Sequence, residues 1–153
     1  VVESTHGLFP EVAGEKEKYR AIRERQCTML QSVPIFSGLV GDEVRLVHDL
    51  MAETHFDYNQ YVFHQGEIGD DFFIILRGYA DCICKNEDAK EQKILTTLGP
   101  GEAFGERALL RNERRFASVV VTSEAGLRCL VIQRKEFEKA LGPLANRISE
   151  QYA

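Results

Sequence analysis

Between residues 15 and 30, Tyr19, Ile22, Met29 and Leu30 thread through Lys16, Glu17, Lys18, Arg20, Arg23, Glu24 and Arg25. That spacing predicts a charged helix with a narrow apolar stripe, suited either to solvent or to packing on a neighbouring domain. Pro34 and Gly38 break the pattern, and from Asp42 to Met51 a second helix is predicted, with Val44, Leu46, Val47 and Leu50 facing inward. After Glu53 the period shortens. Runs over 54–58, 61–64, 72–76, 79–84, 94–98, 118–122 and 127–132 read as short strands, separated by turn chemistry at Gly66 to Asp71 and at Gly99-Pro100-Gly101. Helical spacing returns from Arg134 to Leu141, where Phe137, Ala140 and Leu141 share a side. Gly142 and Pro143 interrupt it before a last predicted helix from Leu144 to Tyr152. Residues 1–13, with Gly7 and Pro10 and no period, read as linker or as the tail of a preceding segment. Helices around many short strands predict an α+β fold built on a barrel or sandwich.

Composition narrows the class. With 153 residues, 44% hydrophobic and 28% charged, the chain has room for one domain with a proper core. No apolar run approaches the roughly 20 residues that cross a bilayer, and the N-terminus lacks the regions of a signal peptide, so the reading is intracellular and cytoplasmic. A net charge of -5 argues against general nucleic-acid binding. Cys27, Cys82, Cys84 and Cys129 show no Cys-x-x-Cys spacing and read as free core thiols. His6, His48, His55 and His64 include no closely spaced pair, which disfavours a cupin-type metal enzyme despite the expected barrel. Neither a nucleophilic triad nor a metal-dependent phosphodiesterase set is visible, so no catalytic residue is assigned.

One stretch reverses the sign of the chain. Arg107, Arg111, Arg114 and Arg115 fall within nine residues. Gly105 allows backbone angles closed to other residues, and Glu106 to Leu110 are good helix formers, so a short helix starts here with free amide groups facing outward. Such a start suits an anion. Beyond the polar turn Arg111-Asn112-Glu113 the chain can fold back and bring the planar fork of Arg115 to the same anion. Glu106 would repel a phosphate, and therefore fits a sugar hydroxyl on the same ligand.

Phe104-Gly105-Glu106-x-Ala108-Leu109 followed by Arg115-x-Ala117-Ser118-Val119 resembles the phosphate-binding cassette of cyclic nucleotide-binding domains. Gln65-Gly66-Glu67-x-Gly69-Asp70-x-Phe72-Phe73-Ile74-Ile75-x-x-Gly78 is similar to the family's glycine-rich turn near the ribose. The ending Ile132-Gln133-Arg134-x-x-Phe137-Glu138-x-x-Leu141-Gly142-Pro143 resembles the second binding domain of the regulatory subunit of cAMP-dependent protein kinase, and less closely cGMP-dependent kinase. The resemblance covers roughly 30–143. It implies a β-roll, a jelly-roll-like barrel flanked by N-terminal and C-terminal helices. It also implies a binding domain over 30–153, preceded by linker and charged helix over 1–29.

The site implied by the resemblance comprises Phe104, Gly105, Glu106, Arg107, Ala108, Leu109, Arg115, Phe116 and Ala117. In it Arg115 and the main-chain amides near Ala108 and Phe116 hold a cyclic phosphate, and Glu106 takes the ribose hydroxyl. Leu109 and Phe137 are implied as switch residues, and Tyr152 as a lid over the base. The family uses alanine after the cassette arginine for cAMP, and threonine or serine for cGMP. This chain has Phe116 there and Thr96 or Thr97 where cGMP kinases place an arginine. Those differences favour cAMP, with cGMP as the alternative. A further alternative is an orphan cassette reading another ligand, since Phe116 could narrow the pocket or stack on what it binds. No covalent chemistry is implied: the domain would be a regulatory switch on a protein kinase catalytic subunit or domain, or on an exchange factor or channel.

Overall fold

The computed structural model describes residues 9–86, 88 and 91–142. Helix α1 (Phe9–Ser32) leads into a 3-10 turn (Pro34–Phe36) and helix α2 (Gly41–Leu50). Part of the stretch read as linker is thus helical. Gly14 costs that helix about 1 kcal/mol of propensity relative to alanine. The Glu43 carboxylate accepts the Val40 amide at 2.9 Å and caps α2, whose first turn carries Asp42 and Glu43 against the positive end of the helix.

Eight strands follow: β1 (Ala52–Phe56), β2 (Tyr61–Phe63), β3 (Asp71–Arg77), β4 (Ala80–Cys84), β5 (Lys93–Leu98), β6 (Ala103–Phe104), β7 (Ser118–Val121) and β8 (Leu127–Gln133). They form two four-stranded antiparallel sheets, β1-β8-β3-β6 and β2-β7-β4-β5, which make the β-roll. The one-turn helix α3 (Arg107–Leu110) lies between β6 and β7, and residues 134–142 form helix α4 after β8. Strand β6 had no counterpart in the sequence reading, because two residues are too few to show a period. It exists through its partner, with Phe73 opposite Phe104 and Ile74 opposite Ala103. The helix expected over 144–152, and with it Tyr152, lies outside the described residues. No described helix is long and apolar enough to cross a membrane.

Strand alternation divides the core in two. Phe72 and Ile74 point from β3 toward the helices, joining Leu30, Phe36, Val47 and Phe137. Phe73 and Ile75 point into the roll, joining Val119, Leu127 and Cys129. Phe36 presents its edge to Phe72 at 5.4 Å between centroids and lies 6.1 Å from Phe137, so the 3-10 turn sits between a strand and the last described helix. Helices α1 and α2 are clasped at the surface by Arg23, which donates to both oxygens of Asp49 at 2.7 Å, and by His48 against Gln26 Oε1 at 2.7 Å. Burial holds the His48 imidazole below its ordinary pKa, so the ring is neutral near pH 7.

All four cysteines are free, as expected; Cys82 and Cys129 are buried, while Cys27 and Cys84 are only half-buried. Phe36→Ala is expected to cost about 3–5 kcal/mol in urea unfolding, the range for emptying a fully buried phenylalanine site. A second prediction concerns pH. Burial pushes the Cys129 thiol up to about 12, whereas in the unfolded chain it ionises from about pH 8.5. Between those values the unfolded state holds fewer protons, so stability falls as pH rises. Cys129→Ala should make the loss of stability from pH 9 to 11 shallower, by up to about 1.4 kcal/mol per pH unit.

Candidate functional site

Gly105 ends β6 with φ +80°, a conformation that lets the chain turn directly into α3. After α3 the chain returns through Asn112 to Arg114 and is stitched to the turn after β2. Arg115 N–H donates to the Glu67 carbonyl at 2.7 Å, and Gly66 N–H donates to the Arg115 carbonyl at 2.7 Å. Arg114 Nη1 adds a bond to the Gly66 carbonyl at 2.9 Å. Residue 115 is thereby fixed at the backbone.

That side chain is only 9% exposed. Its Nη2 donates to the Asp71 carbonyl at 2.8 Å, and the guanidinium carbon lies 4.1 Å from the centre of the Phe63 ring. Two glycines make room for it. A Cβ at Gly69 would stand 2.6 Å from Arg115 Nε, and one at Gly105 would stand 2.8 Å from Nη1. Arg115 Nε is buried without a hydrogen-bond partner, and among the described residues no carboxylate forms a salt bridge with this guanidinium. Burial lowers the arginine's pKa, against the opposing pull of Asp71, Asp70 and Glu67; a guanidinium so far above neutrality nevertheless stays charged. On the other side, burial and Asp70 raise the Asp71 carboxyl. A buried cation with a free donor is costly in isolation and is relieved by an anion.

The other three cassette arginines are differently placed. Arg107 and Arg111 reach Glu113 at 3.7 and 3.4 Å, and Arg114 serves the turn already described. Of the four, Arg115 is the one buried at the site.

Arg115 opens onto a cavity of about 240 Å³. Of the residues expected there, Phe104, Gly105, Glu106, Arg107, Ala108, Arg115, Phe116 and Ala117 all line it. Leu109 does not. It faces the other way, buried in the cluster that contains Phe36 and Phe137. The Ala108 amide, expected at the phosphate, donates to the Gly105 carbonyl at 3.0 Å and closes the first turn of α3. An anion could take that amide only as a shared acceptor or with the turn opened. The half-buried Glu106 forms no side-chain cap on α3 and borders a second groove, lined also by Pro34, Ile35 and Ala103.

Sequence reasoning missed most of the remaining lining, naming from it Thr96 alone, as one of two threonines. Phe63, Cys82, Leu98 and Val119 line the cavity, as does Thr96, which stands opposite Cys82 in the β4–β5 ladder. Thr97 instead points away and donates to Asp81 at 2.8 Å. Period-2 alternation on β4 and β5 could have paired Cys82 with Thr96, but the bulge next to this pair hides the register. The histidines stand apart: His64 Nδ1 lies 2.8 Å from Glu67 Oε1 with its ring stacked on Tyr61, and His55 Nδ1 lies 3.5 Å from Asp57. No group of three metal-ligating side chains occurs among the described residues.

Residues 53–142, more than half of the chain, match the family model described as cyclic nucleotide-binding domain. The chain is 38% identical over 123 residues to a cGMP-dependent protein kinase of Drosophila melanogaster, isozyme 2 forms cD5/T2; the match takes in 80% of this chain and 13% of that kinase. Across the curated relatives named first, the chain spans 11–15% of their length. Among solved structures it resembles the regulatory domain of Toxoplasma gondii PKA with cAMP, at 27% identity and TM-score 0.69, covering 85% of this chain and 49% of that one. It also resembles the regulatory subunit of a cAMP-independent protein kinase A from Trypanosoma cruzi bound to guanosine, at 28% identity and TM-score 0.67, covering 85% and 47%.

Gly69→Ala tests the seating of the arginine, because its φ is not in the left-handed region and the three atoms nearest to the added methyl all belong to the Arg115 guanidinium. The Arg115 Nε–H resonance is expected to shift while urea stability changes by no more than about 1 kcal/mol. An unmoved resonance would mean that Gly69 does not hold the side chain in place.

Proposed function

The chain belongs to the cyclic nucleotide-binding domain family, and we propose that its cavity binds a cyclic nucleoside monophosphate, cAMP in preference to cGMP, without turning it over. The observation that carries this reading is the buried Arg115 guanidinium, which lines the cavity, is held by one carbonyl and keeps an Nε without a hydrogen-bond partner. A singly charged cyclic phosphate supplies the missing acceptor. Glu106, uncommitted to its own helix, takes the ribose 2′-hydroxyl. No step in this scheme breaks a covalent bond.

The preference for adenine rests on what the pocket lacks. Beside the cassette arginine stands Phe116, whose ring offers no acceptor for the guanine amino group. On β5 the cavity meets Thr96, one of the two threonines, Thr96 or Thr97, at which the resemblance to cGMP kinases would put an arginine. The cGMP reading stands second, supported by the 38% identity to the Drosophila cGMP-dependent kinase.

The consequence of binding, in this proposal, is a change in the packing of helices around a rigid roll. Closing the cassette onto phosphate pulls α3 inward. Leu109 shares the helix-side cluster with Phe137, so its displacement shifts α4 and brings Tyr152 over the base. Residues 30–153 form the binding unit and 1–29 its connection, in a cytoplasmic protein. The output is control of a protein kinase catalytic subunit or domain; exchange-factor and channel parents are the other assignments.

Calorimetric titration with cAMP and then cGMP, after bound nucleotide has been removed by unfolding and refolding, tests the ligand. Stronger binding of cAMP supports the reading, stronger binding of cGMP replaces it with the second, and heat from neither overturns both. Arg115→Ala should weaken binding by about ten to a few hundredfold, the range of lost charge-assisted hydrogen bonds. Glu106→Gln should shrink the preference for cAMP over 2′-deoxy-cAMP; a full preference in that variant would remove Glu106 from the ribose.

A further inference from the structure

Phe116 is 69% exposed, whereas every other phenylalanine whose side chain is described is buried or half-buried. Its backbone is not loose. Arg115 before it is locked to Glu67 and Gly66, Ser118 Oγ after it accepts the Gln65 amide at 2.8 Å, and the Phe116 carbonyl lies 3.5 Å from Cys84 Sγ. A fixed main chain therefore holds a large apolar ring at the opening of the cavity it lines. Among the described residues no other ring packs on it.

The cavity itself is divided by charge. Glu106, Arg107, Glu113, Arg114 and Arg115 come from the cassette side. The wall formed by Cys82, Thr96, Leu98 and Val119 carries no charge. A nucleotide is divided in the same way, into an anionic sugar-phosphate and a flat, weakly polar base. With the phosphate at Arg115, the base takes the uncharged wall of the cavity that the exposed Phe116 also lines.

The geometry points to Phe116 as the stacking platform for the ligand's base, an aromatic face that the cassette provides next to its own arginine. This rests on the cyclic-nucleotide reading and adds a positioning role to it. A ring reads the π face of a base, common to adenine and guanine, rather than the hydrogen-bonding edge that distinguishes them. Phe116 thus contributes affinity for both purines. Discrimination falls to other groups on the wall, of which Thr96 is the hydrogen-bonding side chain.

The test compares the parent chain with Phe116→Ala and Phe116→Tyr, by ¹⁵N-shift titration with cAMP, cGMP and an abasic ribose 3′,5′-cyclic phosphate. Loss of the platform should weaken both nucleotides by a similar factor, about five- to a hundredfold as for other base–aromatic stacks. Abasic affinity should stay unchanged, and Phe116→Tyr should restore the nucleotides. Unchanged nucleotide affinity in Phe116→Ala overturns the platform. So does an equal loss for the abasic ligand, which would mark a distorted cassette, or a loss confined to one purine, which would mark edge recognition. If the parent chain binds none of the three, the cyclic-nucleotide reading fails and the platform with it.

Discussion

Both faces of β3 are buried against different partners, and most of what is distinctive in this molecule hangs from that one strand. Phe72 and Ile74 tie it to the helices, Phe73 and Ile75 tie it to the interior of the roll, and the Asp71 carbonyl at its start receives the buried guanidinium. Its neighbours in the sheet are β8, which runs on into α4, and β6, which runs on into the cassette. Helix packing, barrel packing and arginine placement therefore share a backbone. A shift of β3 by one residue would exchange its two apolar faces and remove the acceptor from Arg115.

The strands and α2 were legible because their apolar residues recur with clear periods over four or more positions. What escaped is non-local. The pairing of Cys82 with Thr96 depends on a bulged ladder, β6 is too short to carry a pattern, and the anchor of Arg115 is a backbone carbonyl that no side chain announces. Gly69 and Gly105 were readable as turn residues; that both also border the same guanidinium follows only from the tertiary fold. The cassette lay the other way. Its residue types were informative because anion chemistry draws on so few of them, and eight of its nine expected residues do line one cavity. Leu109 falls outside since this single helical turn buries one side in the core while the other faces the cavity.

The four arginines show how little charge count alone says about a site. Two are offset by Glu113, one stabilises a turn, and the fourth is set apart by burial and by the ring beneath it. Because such a charge is poorly screened by solvent, it acts on a nearby anion more strongly than its exposed neighbours do, and with less dependence on salt. Acidic Asp70, Asp71 and Glu67 lie close enough to ease the cost of keeping it there without reaching salt-bridge distance.

Strand β1 finds its place only beside β8, with Ala52 opposite Val131 and Phe56 opposite Leu127. The same β8 also completes β3. As the chain leaves a ribosome, β1 must wait for β8, and β3 has until then only the two-residue β6 as a partner, while the β4–β5 pair can already close. The first sheet is thus a late event in synthesis, and its formation belongs to the slow end of folding, milliseconds to seconds, that long-range strand pairing sets. For this architecture, the interval between translation of β3 and arrival of β8 is the period of greatest exposure to aggregation and to chaperones.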